Sequence, residues 1–272
     1  MPEIAEVETV RQTLKRRILK KQIKNVNVLY DRMIESDLNE FKKNLIGLEF
    51  DDILRKGKWL LFSIGDYYLC SHLRMEGKYF IKDNQEEINK HEHVIFEFSD
   101  GTDLRYHDTR KFGRMNLVKK DMLDTVEGVR KQGIEPIDDN LSKEYLYEHF
   151  KKSNLPMKTL LLDQTIISGL GNIYADEVLF AAGIDPLKKG KDISLDECQK
   201  IKEVSKIIIE EAIKCGGTTI KSYTSSLGVT GLFQQHLKAH KRENEDCYNC
   251  GTKINRIVVG GRSTYYCSKC QK

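Results

Sequence analysis

Two groups of residues in this sequence are of a type and spacing that could do chemistry. One opens the chain: Met1-Pro2-Glu3-Ile4-Ala5-Glu6-Val7-Glu8. Pro2 is small enough to permit removal of Met1, which would leave a secondary amine at residue 2. A free α-amino group titrates near ~7.7–8.0 against ~10.4 for lysine, so more of it is unprotonated and nucleophilic at neutral pH. A secondary amine can form an iminium ion with an aldehyde-like carbon, and the adjacent Glu3 could donate and accept the protons. The same residues also suit an ordinary helix start, where proline's missing N–H is not needed and Glu3, Glu6 and Glu8 complement the helix dipole. Lys58, in Arg55-Lys56-Gly57-Lys58-Trp59, enters an apolar strand. It reads as an auxiliary amine or phosphate contact, or as a solvent-facing lysine.

The second group is Cys247-x-x-Cys250 and, after 16 residues, Cys267-x-x-Cys270. This is the spacing of a four-thiolate zinc site. Four sulfurs at ~2.3 Å fill the tetrahedral shell of one Zn²⁺, so the ion folds the segment and has no open position for catalysis. Unligated thiols are the alternative. Cys70, Cys198 and Cys215 lack such spacing and read as ordinary buried residues. Between the pairs, Val258-Val259-Gly260-Gly261-Arg262-Ser263-Thr264 reads as a hairpin with Arg262 at its tip.

The elements that must position these groups follow from periodicity. Ile4, Val7, Leu14 and Ile18 recur at helical spacing over residues 3–18, which makes that helix a mount for the amine. Short strands are predicted at 23–30, 59–64, 67–72, 79–82, 93–98, 104–107 and 114–118, an antiparallel sandwich in pattern. Two of its loops, Ser71-His72-Leu73-Arg74-Met75-Glu76-Gly77 and Asp108-Thr109-Arg110-Lys111-Phe112-Gly113, place a large apolar side chain and an arginine beside glycine. Such side chains can wedge between bases and read a base edge; alternatively Met75 and Phe112 are core residues. After a boundary near residue 134, helices are predicted at 142–152, 157–162, 171–182 and 194–214. Gly169-Leu170-Gly171-Asn172 at a helix start suits a phosphate. Residues 216–232, rich in Gly, Ser and Thr, read as a lid over a polar ligand or as a linker.

With 272 residues the chain has room for two domains or three small ones. Its 32% charged residues, mean hydropathy of −0.51 and lack of a long apolar run exclude a membrane-spanning helix and predict a cytosolic protein. Net charge is only +4, so an anionic partner must be met by clusters. One lies at 236–272, with eight Lys or Arg against three acids; another runs from Lys15 to Lys24.

Six motifs in order resemble bacterial formamidopyrimidine-DNA glycosylase along the whole chain: Pro-Glu-x-x-Glu-Val-Glu-Thr at 2–9, Gly-Lys-x-Leu-Leu at 57–61, His-Leu-Arg-Met-x-Gly at 72–77, Asp-x-Arg-x-Phe-Gly at 108–113, Gly-Leu-Gly-Asn-Ile-Tyr-Ala-Asp-Glu at 169–177, and Gly-Gly-Arg-Ser-Thr-Tyr-Tyr-Cys at 260–267. Ala5 departs from the family's usual second proline. The resemblance implies an α+β multidomain fold. Its parts are an N-terminal antiparallel β-sandwich with a flanking helix (1–133), a helix-two-turn-helix domain (134–235, with the lid) and a zinc finger (236–272). It implies a monomeric enzyme of the bacterial cytoplasm, acting at the nucleoid on duplex DNA that carries oxidised purines. Pro2 would be the nucleophile, Glu3 the acid/base and Lys58 a catalytic-site lysine. Met75, Arg110 and Phe112 would fill the gap left by the extruded nucleotide. His72, Asn172 and Arg262 would contact DNA, and Glu76 would line the base pocket. The related endonuclease VIII type, which takes oxidised pyrimidines, is one alternative. A non-catalytic zinc-finger DNA-binding relative is another, but DNA binding alone would require neither Pro2 nor Glu3.

Overall fold

Helix α1 (Ile4–Ile18) forms where the apolar spacing predicts it, and Val7, Val10, Leu14 and Ile18 reach the main core. The computed structural model describes residues 1–218 and 231–272. The described chain divides into two compact units: residues 1–130 with Thr218 and Gly231, and residues 131–217 with 232–272. Residues 219–230, most of the expected lid, lie outside the described residues.

In the first unit α1 is followed by β1 (Ile23–Val28), α2 (Leu38–Leu45), β2 (Phe50–Lys56), β3 (Trp59–Ile64) and β4 (Tyr67–His72). Then come β5 (Lys78–Asp83), β6 (Glu92–Phe98), β7 (Thr102–His107), β8 (Arg114–Lys119) and α3 (Glu127–Arg130). The strands form two antiparallel four-stranded sheets, ordered β1-β6-β7-β5 and β2-β3-β4-β8. Phe50 of one sheet meets Phe96 and Phe98 of the other edge-on, at centroid distances of 6.1 and 5.9 Å, in a shared core. The predicted sandwich is therefore present.

Three elements of this unit escape the sequence pattern: β2, α2 and the four-residue α3. In β2 only Phe50 and Ile53 are buried, three residues apart, because the register slips between Phe50 and Asp52. Such a bulge breaks the period of two that marks a strand. In α2 eight residues bury only Phe41 and Leu45, and Asp37 caps it by accepting from the Glu40 amide. Lys56 pairs with Trp59, so Gly57 and Lys58 are the two central residues of a tight hairpin turn. Gly57, at φ +57°, supplies the left-handed residue this turn needs.

The second unit carries α4 (Lys143–Phe150), α5 (Met157–Leu161), α6 (Asn172–Ala182) and α7 (Leu195–Lys214), then β9 (Asn255–Val259) and β10 (Arg262–Tyr266). Ser142 and Ser194 cap α4 and α7, the latter in a capping box with Glu197. Nearly every residue of α6 is buried, and Phe180 packs against Cys247, Ile254 and Cys267. Gly260 and Gly261 turn the β9–β10 hairpin at φ +55° and +75°. Among the described residues no helix is long and apolar enough to cross a membrane.

Candidate active site and nucleic-acid contacts

Within the first unit the start of α1, the β2–β3 turn and the two glycine-bounded loops supply the candidate residues. Pro2 is buried and Glu3 is 2% exposed. Glu3 is the N-cap of α1, and its amide donates to Glu6 Oε2 at 2.9 Å. The other oxygen of Glu6 accepts from the amide and hydroxyl of Thr218, at 2.7 and 2.9 Å. Burial holds the terminal amine, here on Met1, below its ordinary value. Lys58 pushes it the same way, while Glu3, Glu6 and Glu76 oppose. Those four residues are thus the charges that face the beginning of the chain. Lys58 is only 5% exposed, so the solvent-facing reading of it is wrong. A lysine buried in a tight turn and acting on both the terminal amine and His72 suits an auxiliary role.

His72 ends β4, and its ring meets Trp59 edge-on at 4.9 Å. Burial, then Arg74 and Lys58, lower its pKa to about 3. Its Nδ1 accepts the Arg74 amide at 2.9 Å, so the single proton is assigned to Nε2. His72 is therefore a neutral donor. Arg74, at φ +53°, turns the chain, and the Gly77 amide closes the loop on the Leu73 carbonyl at 2.9 Å.

The second loop is built on Asp108, whose carboxylate is fully buried. Its Oδ1 accepts the Arg110 amide at 2.9 Å, and its Oδ2 accepts the amides of Phe112 and Gly113 at 2.9 and 2.8 Å. Three charge-assisted bonds hold the loop. Arg110 is exposed and lies 4.6 Å from the centroid of the exposed Phe112 ring. Phe112 is 45% exposed and Met75 is half-buried, so neither is a core residue. The two loops are tied together: the Thr109 hydroxyl donates to Glu76, and Gly77 and Gly113 both lie against Tyr106. Tyr106, Thr109 and the cage made by Asp108 were missed in the sequence. The one available signal was Asp108 itself, since aspartate at the start of a loop commonly accepts amides from residues just ahead.

In the second unit Asn172 begins α6 and donates from Nδ2 to the Ser263 carbonyl at 2.8 Å. One of its two amide protons is therefore committed to β10, and it stands beside the neighbour of Arg262. Arg262 is exposed at the hairpin, next to a cavity of about 310 Å³ lined also by Thr159, Asp163 and Gly260. The four cysteines meet as expected, with ligand atoms all within 4.8 Å, the one such metal-holding cluster among the described residues. Sulfur separations are 3.9 Å for Cys247–Cys270 and 3.5 Å for Cys250–Cys267. A tetrahedron with ~2.3 Å arms has edges of about 3.8 Å, so the cage fits zinc. The other cysteines behave differently: burial raises the Cys70 thiol to about 12, burial and then Glu197 raise that of Cys198 to about 12, and Cys215 is half-buried.

Comparison with known proteins agrees with this architecture. Residues 1–115 match the formamidopyrimidine-DNA glycosylase N-terminal domain, 132–224 the H2TH domain of the same enzyme, and 245–272 a zinc finger found in FPG and IleRS. The chain is 45% identical over 274 residues to formamidopyrimidine-DNA glycosylase of Halalkalibacterium halodurans, covering all of both chains. It is 46% identical to that of Ligilactobacillus salivarius, covering 100% of this chain and 99% of the relative. The solved Lactococcus lactis enzyme bound to DNA containing N7-benzyl-Fapy-dG is similar at a TM-score of 0.94 and 38% identity, over the whole of both chains. The same enzyme bound to abasic-site DNA gives 0.94 over 99% of each.

Proposed function

The chain belongs to the formamidopyrimidine-DNA glycosylase family, bifunctional DNA glycosylases and AP lyases of base excision repair, and from that premise we propose which of its residues do the work. The observation that carries the reading is that buried Glu3 and Lys58, with Glu76, act electrostatically on the beginning of the chain, where a trimmed Pro2 would present its secondary amine.

The substrate is a damaged base, chiefly 8-oxoguanine or a formamidopyrimidine, in duplex DNA in the bacterial cytoplasm, where the protein acts as a monomer. A base inside a duplex is out of reach, so the nucleotide must be extruded at a cost of roughly a few kcal/mol. Met75 and Phe112 fill the vacated stack, and Arg110, braced over Phe112, faces the orphaned cytosine. Glu76 lines the base pocket. His72 donates its Nε2 proton to a backbone phosphate, and Asn172 and Arg262 hold phosphates from the second unit.

The Pro2 nitrogen then forms a bond to C1′ as the bond from C1′ to the base breaks and the base leaves with a proton. Glu3 delivers a proton to the sugar ring oxygen, the C1′–O4′ bond opens, and an iminium ion remains between Pro2 and C1′. Its positive nitrogen acidifies the C2′ proton. Loss of that proton expels the 3′ phosphate, and a second elimination expels the 5′ phosphate. Water finally hydrolyses the iminium. Lyase activity is thus a consequence of an amine nucleophile. The zinc ion bound by Cys247, Cys250, Cys267 and Cys270 supplies folding energy to the hairpin that carries Arg262 and takes no part in the chemistry.

Borohydride trapping on a duplex with 8-oxoguanine opposite cytosine, followed by peptide mass mapping, tests the assignment. The expected adduct is on Pro2. An adduct on Lys58, or faster release of thymine glycol than of 8-oxoguanine, would overturn it.

A further inference from the structure

A buried ion cluster joins the two segments that carry Pro2 and Lys58, and the chemistry above gives it no role. Glu8 lies in α1 and is 8% exposed. Its Oε1 accepts from Arg11 Nη2 at 2.6 Å and Gln12 Nε2 at 2.9 Å; its Oε2 accepts from Arg11 Nε at 3.0 Å and Arg55 Nε at 2.9 Å. Arg55, in β2, has a side chain only 7% exposed. Its Nη1 goes on to the Gly57 carbonyl at 3.1 Å. Gly57 is the residue before Lys58 in the tight turn. Hydrogen bonds therefore run without a break from α1 through Glu8 and Arg55 to the peptide bond that leads into Lys58. Burial alone would raise the Glu8 carboxyl, but hydrogen bonds from Arg11, Gln12 and Arg55 outweigh it and hold it below its ordinary value. Glu8 is thus charged at any working pH. The fork geometry matters: arginine's planar guanidinium spans the carboxylate and the carbonyl from two nitrogens held in one plane, whereas lysine offers a single nitrogen on a flexible stem.

We propose that Glu8 and Arg55 are positioning residues for the amine chemistry, fixing Lys58 at a set place relative to the N-terminal amine. The inference rests on the reading of that amine as the nucleophile. The charged groups acting on the terminal amine, which Met1 carries here and Pro2 would carry one residue on, are Glu3 and Glu6 from α1, Lys58 from the β2–β3 turn and Glu76 from the β4–β5 loop. Lys58 is the one cation among them, and it favours the unprotonated, reactive form. A turn released from Arg55 lets Lys58 withdraw while the three carboxylates stay. The amine then holds its proton to higher pH, and the acidic limb of the reaction moves the same way.

The test is the rate of borohydride trapping on an abasic-site duplex from pH 5.5 to 9, for the wild type, Arg55→Met, Arg55→Lys, Glu8→Gln and Lys15→Ala. An abasic substrate needs no base recognition. For Arg55→Met and Arg55→Lys the expected result is a loss of about 3–10-fold near pH 6.5 and of less than about 2-fold at pH 9, the signature of a shifted acidic limb. Glu8→Gln keeps the shape and one acceptor oxygen and should shift the limb less, which preserves the test if Arg55→Met does not fold. Lys15 bridges to Asp52, also between α1 and β2 but with both side chains 40% exposed; its variant should follow the wild-type profile. Unshifted limbs in all three cluster variants, or a loss equal at every pH, would overturn the proposal and leave the cluster merely structural. Absence of a Pro2 adduct in the wild type would instead overturn the underlying assignment of the nucleophile.

Discussion

At neutral pH the His72 ring carries one proton, because its Nδ1 accepts the Arg74 amide and its surroundings resist a second charge. That arrangement has a measurable cost in acid. In the unfolded chain a histidine titrates near ~6.5, whereas folded His72 does so at about 3. Between those values only the unfolded chain binds the proton. Stability is thus unaffected above pH ~6.5 and falls progressively as pH drops toward 3, by about 2 kcal/mol at pH 5 from this residue alone. Trp59, the single tryptophan, lies against His72 and reports unfolding of the first unit. Urea melts followed by its emission at pH 7.5 and 5 should show a smaller acid loss for His72→Gln than for the wild type. Equal losses would mean that the ring is protonated in the folded protein.

The next scale is that of the two loops, which share a support. A Cβ at Gly113 would lie 1.9 Å from the Tyr106 hydroxyl; one at Gly77 would lie 2.1 Å from it and 2.6 Å from the Leu73 carbonyl. Neither glycine has a positive φ, so what each provides is space. Gly113→Ala must therefore displace the loop or the tyrosine, at roughly 1–3 kcal/mol. A fall of roughly 2–8 °C in the melting midpoint is expected, together with slower excision of 8-oxoguanine. Phe112→Ala removes an exposed ring and should slow excision with the midpoint unchanged. A Gly113→Ala protein as stable as the wild type would show that Tyr106 yields freely. This support explains why the site was only partly legible in sequence. Pro2, Lys58, Arg110 and the four cysteines stand out by type and local spacing. The partners that hold them, Tyr106 under two loops or Arg55 between Glu8 and Gly57, are long-range pairings that no local period encodes. The fold followed the same division. Helices with apolar residues at helical spacing and strands that are short apolar runs between Gly and Asp turns were readable, while β2 was hidden by its bulge.

On the scale of the whole molecule, each compact unit has a core of its own, and α6 is what binds the four-cysteine element into the second. Glu177 accepts the amides of Lys238, Ala239 and His240 at 2.8, 2.9 and 2.8 Å. Its neighbour Asp176 joins fully buried Lys158 to His240, both at 2.6 Å. Phe180, one turn on, packs on the cysteines. Zinc binding is thus coupled to the α6 surface that presents Asn172, and the Asn172–Ser263 bond carries the coupling to the residue beside Arg262. Loss of the metal should free the hairpin, release that bond and remove the Arg262 phosphate contact, yet leave the sandwich intact. Cys267→Ala, which breaks the tetrahedral set at a fully buried ligand, is expected to lose zinc and to bind duplex DNA at least about 10-fold more weakly, with a shallower salt dependence because fewer phosphates are met. The Trp59 emission and its urea transition should stay as in the wild type, since Trp59 packs with Leu61, Cys70, Val126 and Val129 in the first unit. Unchanged zinc content and affinity would refute the four-thiolate site. A shifted Trp59 transition would show instead that the two units fold as one.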